Sequence, residues 1–266
     1  MQIFPLIAAA VISASTIIAA TKPGIAQDNS FRKSDIVRLI GELPNYTPIR
    51  EDMIALGFKG EKLEMAVNQI ARMLNDPVIA SNIADRVIAA RNPSIEPAEA
   101  GGLFWPLVDR GLGHLPPRDL RYFYLVEQTM LKALPTRQCG LAVKERLAPD
   151  KLAAATGRVA ARLNTPALRE YYRIQYEAAR LGASRDVTML SKRDEARVVE
   201  KINEALGRTL ADRPDAPALL RAYEDLNRVS NRRACIAGRV FMDAVLAMEG
   251  RDLHHALILL SVPLGS

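Results

Sequence analysis

Cys139 and Cys235 are the two cysteines of the chain, and a pair of thiols can bridge, help to hold a metal or attack an electrophile. No Cys-x-x-Cys spacing occurs, and no histidine lies close in sequence to either residue. Neither redox exchange nor a histidine-activated thiolate therefore has a local signature. Two cysteines allow a single intramolecular pairing, and it would span 96 residues. The chain-entropy estimate for a bridge over such a loop is about 4–5 kcal/mol. The expectation is a structural disulfide between Cys139 and Cys235, with two buried free thiols as the alternative.

The histidines are His114, His254 and His255. Zinc requires three or four ligands converging on one point, whereas adjacent histidines on a helix point about 100° apart. With neither HExxH nor a Glu-x-x-His pair, no metal site is expected. No cofactor is expected either, because the glycine-rich loops that cradle phosphates are absent. A serine nucleophile has no GxSxG elbow. Ser30-Phe-Arg-Lys33 fits a bare SxxK pattern but lacks the companion KTG and SDN segments. Paired carboxylates of the glycosidase kind carry no short signature, and no particular Asp or Glu stands out as a catalytic acid.

The clearest polar pattern is cationic. At about 100° per residue, Lys151, Arg158 and Arg162 share one helical face, and Arg169, Arg173 and Arg180 share a face of the next predicted helix. If the two helices are antiparallel neighbours, the six side chains merge into a surface for an anion or a partner. The competing reading is a solvated face laced by Glu170–Arg173, Arg173–Glu177 and Glu177–Arg180 pairs. The charge distribution points to the same segment. Residues 27–136 hold 13 basic and 14 acidic side chains, residues 137–182 hold 9 and 4, and residues 183–266 hold 13 and 12. A local surplus of this kind attracts anions through its field.

The elements that must position these groups are helices. Ala and Leu dominate the apolar residues, aromatics amount to 5%, and long β-branched alternating runs are missing. Apolar residues recur at helical spacing over 61–74 and 77–90, split by Asn75-Asp76-Pro77. The helix predicted over Asp119–Leu134 turns Leu120, Phe123, Tyr124, Leu131 and Leu134 inward. Thr136 is expected to cap the helix carrying Cys139. Further helices run from Pro149 to Leu163, from Thr165 to Leu181 with Leu168, Tyr172 and Tyr176 lining the core, and from Ser191 through Leu206. Asn231–Met248 is the most apolar and is expected near the centre. Gly101-Gly-Leu-Phe-Trp-Pro106, followed by Gly111, Gly113 and Pro116-Pro117, reads as one short helix or mostly loop. Trp105, the single tryptophan, is expected to anchor the core.

At the start, Ile3–Ala20 carries no charge, and a cut after Ala26 would leave Gly24 and Ala26 at the small-residue positions of an export signal. No Lys or Arg precedes Ile3, so an uncleaved anchor and a plain N-terminal helix are the rivals. The expected organisation is a signal over 1–26 and a single helical domain over 27–266, with a candidate sub-boundary near 92–97. The fold class is all-α, a compact bundle of about ten helices. An exported chain, periplasmic or secreted, meets an oxidant that can close the disulfide. The expected function is a non-catalytic binding or structural role in the cell envelope. Its partners would be an acidic protein, an anionic wall polymer or lipid head groups, not nucleic acid, with no stable membrane span after cleavage. Two alternatives stand beside it: an envelope hydrolase with a carboxylate acid and base in a helical cleft, and a carrier of an apolar small ligand between helices.

Overall fold

The computed structural model describes residues 32–45, 47–89 and 97–262. The leader over 1–26 and the joint over 92–96 lie outside them. Among the described residues the protein is all-helical, with thirteen α-helices, one short 3-10 turn and no strand. The first four are α1 (Lys33–Glu42), α2 (Thr47–Ala55), α3 (Gly60–Leu74) and α4 (Pro77–Ala89). Then come α5 (Pro97–Leu112), α6 (Pro117–Ala133), α7 (Thr136–Val143), α8 (Pro149–Ala160) and α9 (Thr165–Ser184). The chain closes with α10 (Lys192–Leu210), α11 (Ala216–Glu224), α12 (Asn231–Leu246) and α13 (Gly250–Ser261).

Proline punctuates this series because its fixed φ and missing N–H suit the first helical turn. It sits there in α4, α6, α8, α9 and α11. Side-chain caps fix other starts. Asn164 Oδ1 accepts from the Ala167 amide at 2.9 Å, and Ser191 and Ser230 accept from the Asp194 and Arg233 amides. Thr136 does not cap α7 but is its first residue; Pro135 occupies the N-cap position and offers no side-chain hydrogen bond.

The count of about ten helices is therefore corrected to thirteen, and the segment read as one short helix or mostly loop is the long helix α5. Gly101, Gly102 and Pro106 are local breakers, yet the segment is a sixteen-residue helix with Pro106 inside it. Tertiary packing overrides the propensity. Helix α9 lies against α5 more extensively than any other two helices meet, and the contact is made backbone to backbone. A Cβ on Gly111 would stand 1.8 Å from the Ala178 carbonyl oxygen, and one on Gly182 would stand 1.9 Å from that of Leu107. Only glycine allows this approach.

Around this crossing, α3, α4 and α6 flank α9, while α12 packs on α6, α7, α10, α11 and α13. The sulfurs of Cys139 on α7 and Cys235 on α12 stand at disulfide distance, 2.04 Å, and both residues are fully buried. Long polar side chains close helix ends. Lys62 Nζ donates to the carbonyls of Ala161 and Leu163, and Arg239 donates to those of Leu131, Lys132 and Leu134. One continuous hydrophobic cluster runs from Ile36 to Leu260. No helix of the described residues is long and apolar enough to cross a membrane.

Candidate functional site

The helices around α9 do not close completely. A half-open cavity of about 60 Å³ remains between the α2–α3 corner, α5, α6, α8 and α9. Met53, Leu56 and Phe58 line it from the corner, Ala66, Gln69 and Ile70 from α3, and Phe104 and Trp105 from α5. Met130 of α6 and Thr156, Gly157 and Ala160 of α8 complete the apolar wall, and Tyr171, Tyr172 and Gln175 of α9 form the opposite side. At about 10–15 Å³ per water-sized group, the space takes on the order of four to six such groups. None of the lining side chains is charged.

The few polar groups are organised. Gln69 Nε2 donates to the Tyr172 carbonyl at 2.9 Å, which holds α3 against α9 at the cavity. The Tyr171 hydroxyl donates to Glu127 Oε1 on α6, and Phe123 stacks on the Tyr171 ring with centroids 5.5 Å apart. Glu127 is only 2% exposed, and its Oε2 has no partner among the described residues. Burial pushes its carboxyl well above the usual range; the Tyr171 hydrogen bond opposes this, and the neighbouring Asp109 adds to it. Asp109, on α5, is itself pushed up to about 7 by burial. Burial, with Glu127 next, also raises the Tyr171 phenol far above its ordinary value, whereas the Gln175 amide pulls it down.

Neither acid is in the cavity lining; Glu127 is joined to it through the hydroxyl of Tyr171, which is. A carboxylate pair facing a groove, as a helical hydrolase would need, is not what lines this space. Trp105 is in the core, as expected. It is 7% exposed and packed in the core, and it also forms part of the cavity wall.

The cationic face is divided differently from the expectation. Helix α8 packs chiefly on α6 and α7, and α9 on α5, α3, α4 and α6, so α8 and α9 are not among the principal packed pairs. The reason is that the small-residue face of α9 is committed to α5. Lys151, Arg158 and Arg162 are exposed on and just after α8. The α9 arginines reach other helices instead. Arg169 pairs with Glu61 at 2.9 Å, Arg173 with Asp119 and Glu170, both at 2.8 Å, and Arg180 with Asp76 at 3.2 Å. The expected Glu170–Arg173 pair is thus present, within a wider tether to α6. Its two carboxylates hold the Arg173 guanidinium above its ordinary value.

Asp76 is the hub of a second tether. Its Oδ1 accepts from the Val78 and Ile79 amides and caps α4, while Oδ2 accepts from the Tyr176 hydroxyl at 2.7 Å. Arg72 covers the Tyr176 ring at 3.6 Å. Tyr172 and Tyr176 were expected to line the core. Both are half-buried and pack against it, Tyr172 at the cavity and Tyr176 at Asp76, while Tyr171 is the fully buried tyrosine of α9.

Among the described residues no three His, Cys, Asp or Glu side chains converge as metal ligands. His114 instead bridges Thr188 and the Asp186 carbonyl, fastening the loop before α10 to the end of α5. No protein-family model, curated protein or solved structure matches the chain.

Proposed function

We propose that the protein is an exported, non-catalytic binding protein whose ligand is a small, mostly apolar molecule held in the cavity against α9. The observation that carries this reading is the cavity itself. Aromatic and aliphatic side chains dominate its lining, the polar groups are few and uncharged, and it is half open. A mostly apolar lining with a few placed polar groups is the composition of a small-molecule site, here scaled to a very small ligand. No carboxyl, histidine or cationic side chain is in its lining, which favours binding over acid–base chemistry. Export is supported by the apolar leader and by the Cys139–Cys235 pair at disulfide distance, which is compatible with an oxidising compartment.

Trp105 is the single tryptophan and lines the cavity, so its emission reads occupancy directly. 1-Butanol, small enough for the space and silent in that range, is a suitable probe. A saturable shift of Trp105 emission with a rise in Tm is expected, and Ala160→Phe, which fills the cavity, removes both. A wild-type protein with neither change up to the solubility limit of the probe would refute the reading. Mass spectrometry of the native protein tests export separately, with an N-terminus at Gln27 and two oxidised thiols expected.

A further inference from the structure

We infer that the outward face of α8 is a docking surface for a linear anionic polysaccharide, separate from the cavity and from its ligand. Lys151 and Arg158 on α8 and Arg162 just after it are exposed, and among the described residues none of the three makes an ion pair or a hydrogen bond. The arginines of α9 are the contrast, since Arg169, Arg173 and Arg180 are each tied to a carboxylate. The one acid of α8 is Asp150, in its first turn. Gly157 and Ala160 face the cavity, so at about 100° per residue the three cations lie on the opposite side of the helix. Like charges one turn apart, as Arg158 and Arg162 are, oppose a helix. The fold supplies this row with no compensating carboxylate; an anionic partner does.

Charge and shape select the kind of partner. Lys62 donates to the Ala161 and Leu163 carbonyls, which adds a positive charge beside Arg162, and the summed field of the face attracts anions. No large apolar side chain of α8 is exposed, so the face lacks the wedge that an interfacial helix sinks into a lipid surface. The row is also straight. At about 1.5 Å per residue, Lys151 and Arg158 are about 10 Å apart along the axis, and Arg158 and Arg162 about 6 Å. Separated cations in line suit a chain carrying one charge per sugar unit better than a compact acidic epitope or the contiguous charges of polyphosphate. Two of the three are arginines, whose planar fork takes a carboxylate at two points, so the fitting charge is a uronate.

Fluorescein-labelled polygalacturonate is the probe, and its anisotropy is followed on titration with the native protein. Saturable binding is expected at low ionic strength, weakening at physiological ionic strength, with the galacturonate monomer far weaker. Lys151→Gln with Arg158→Gln and Arg162→Gln is expected to weaken binding roughly tenfold or more. The control is Lys192→Gln with Arg193→Gln and Arg221→Gln, three exposed positions on α10 and α11, which pack on α12 and α13. It lowers net charge equally and is expected to change the affinity less than about threefold. If the α8 triple variant does not fold, Arg158→Gln alone serves, with a partial loss expected and an unchanged affinity overturning the inference. Absence of binding, the same loss in both triple variants, or a monomer as tight as the polymer also overturns it. So does tighter binding, at equal charge, of pure phosphatidylglycerol vesicles, of polyphosphate or of polyglutamate.

Discussion

Tyr171 donates its hydroxyl proton to Glu127, so the α9 wall of the cavity rests on a buried acid of α6. Nothing cationic answers that acid in its hydrogen bonds, and its second oxygen is unpartnered among the described residues. Such an arrangement is stable while the carboxyl is neutral and costly once it ionises.

A pH dependence follows from this acid and Asp109. A carboxyl raised in the folded state contributes stability that is complete below about pH 4, the unfolded value, and is lost as pH rises through the folded value. For Asp109 that value is about 7, and Glu127 is raised well above the carboxylate range. The urea midpoint of the wild type is expected to fall between pH 4 and 7 relative to that of a double variant, Asp109→Asn with Glu127→Gln. His254, whose pKa burial and then His255 lower, acts in the opposite direction but is common to both proteins and cancels in the difference. Parallel pH profiles of the two proteins would count against neutral acids beneath the cavity.

The α5–α9 crossing tolerates no side chain at its glycines. Gly111→Ala or Gly182→Ala forces a methyl against a backbone carbonyl and is expected to cost at least 1–3 kcal/mol, the usual range for overpacking. Gly207→Ala in α10, where a Cβ meets nothing within 4 Å, is the control and is expected to stabilise by up to about 1 kcal/mol. Urea unfolding of the three variants gives the comparison.

Reduction of Cys139–Cys235 frees a loop of 96 residues and is expected to lower stability by about 4–5 kcal/mol. Because both cysteines are fully buried, dithiothreitol alone should leave the thiols unalkylated until denaturant opens the α7–α12 contact. Iodoacetamide labelling followed by mass spectrometry, with and without urea, distinguishes a protected bridge from an accessible one.

Asp76 joins a helix cap to an ion pair and a tyrosine. Asp76→Ala removes the α4 cap and unties Tyr176 and Arg180, at an expected cost of about 2 kcal/mol or more in chemical unfolding. Burial alone would raise this carboxyl, but Tyr176, the two capping amides and Arg180 outweigh it and leave the pKa lowered. Its contribution is present above about pH 4 and is lost as pH falls through the lowered value, so Asp76→Asn should soften the acid limb of the stability curve. An acid limb identical to that of the wild type would remove the hub from the account.

Helical periodicity and proline placement made most of the helices legible, because an amphipathic stripe and a first-turn proline are properties of neighbouring residues. Parts of the site were legible as anomalies. Glu127 falls on the inward stripe of Leu120, Tyr124, Leu131 and Leu134, and Gln175 falls on the stripe of Leu168, Tyr171 and Ala178. A lone polar residue at such a position is a readable sign of a buried polar contact. Helix α5 was legible only as one short helix or a loop, since Gly101, Gly102 and Pro106 argue locally against its full length and only the surface of α9 argues for it.

The sequence by itself determined an all-helical chain, because apolar spacing, caps and composition act over a few residues at a time. It also limited its two cysteines to a single intramolecular pairing. Which helices meet was decided only in three dimensions. The glycines of α5 and α9 drew those two helices together, and that kept α8 from pairing with α9 and turned the α9 arginines into ties to α3, the α4 cap and α6. The cavity is a product of the same choice, since a gap between helices depends on how whole surfaces fit, and no short stretch of sequence encodes it.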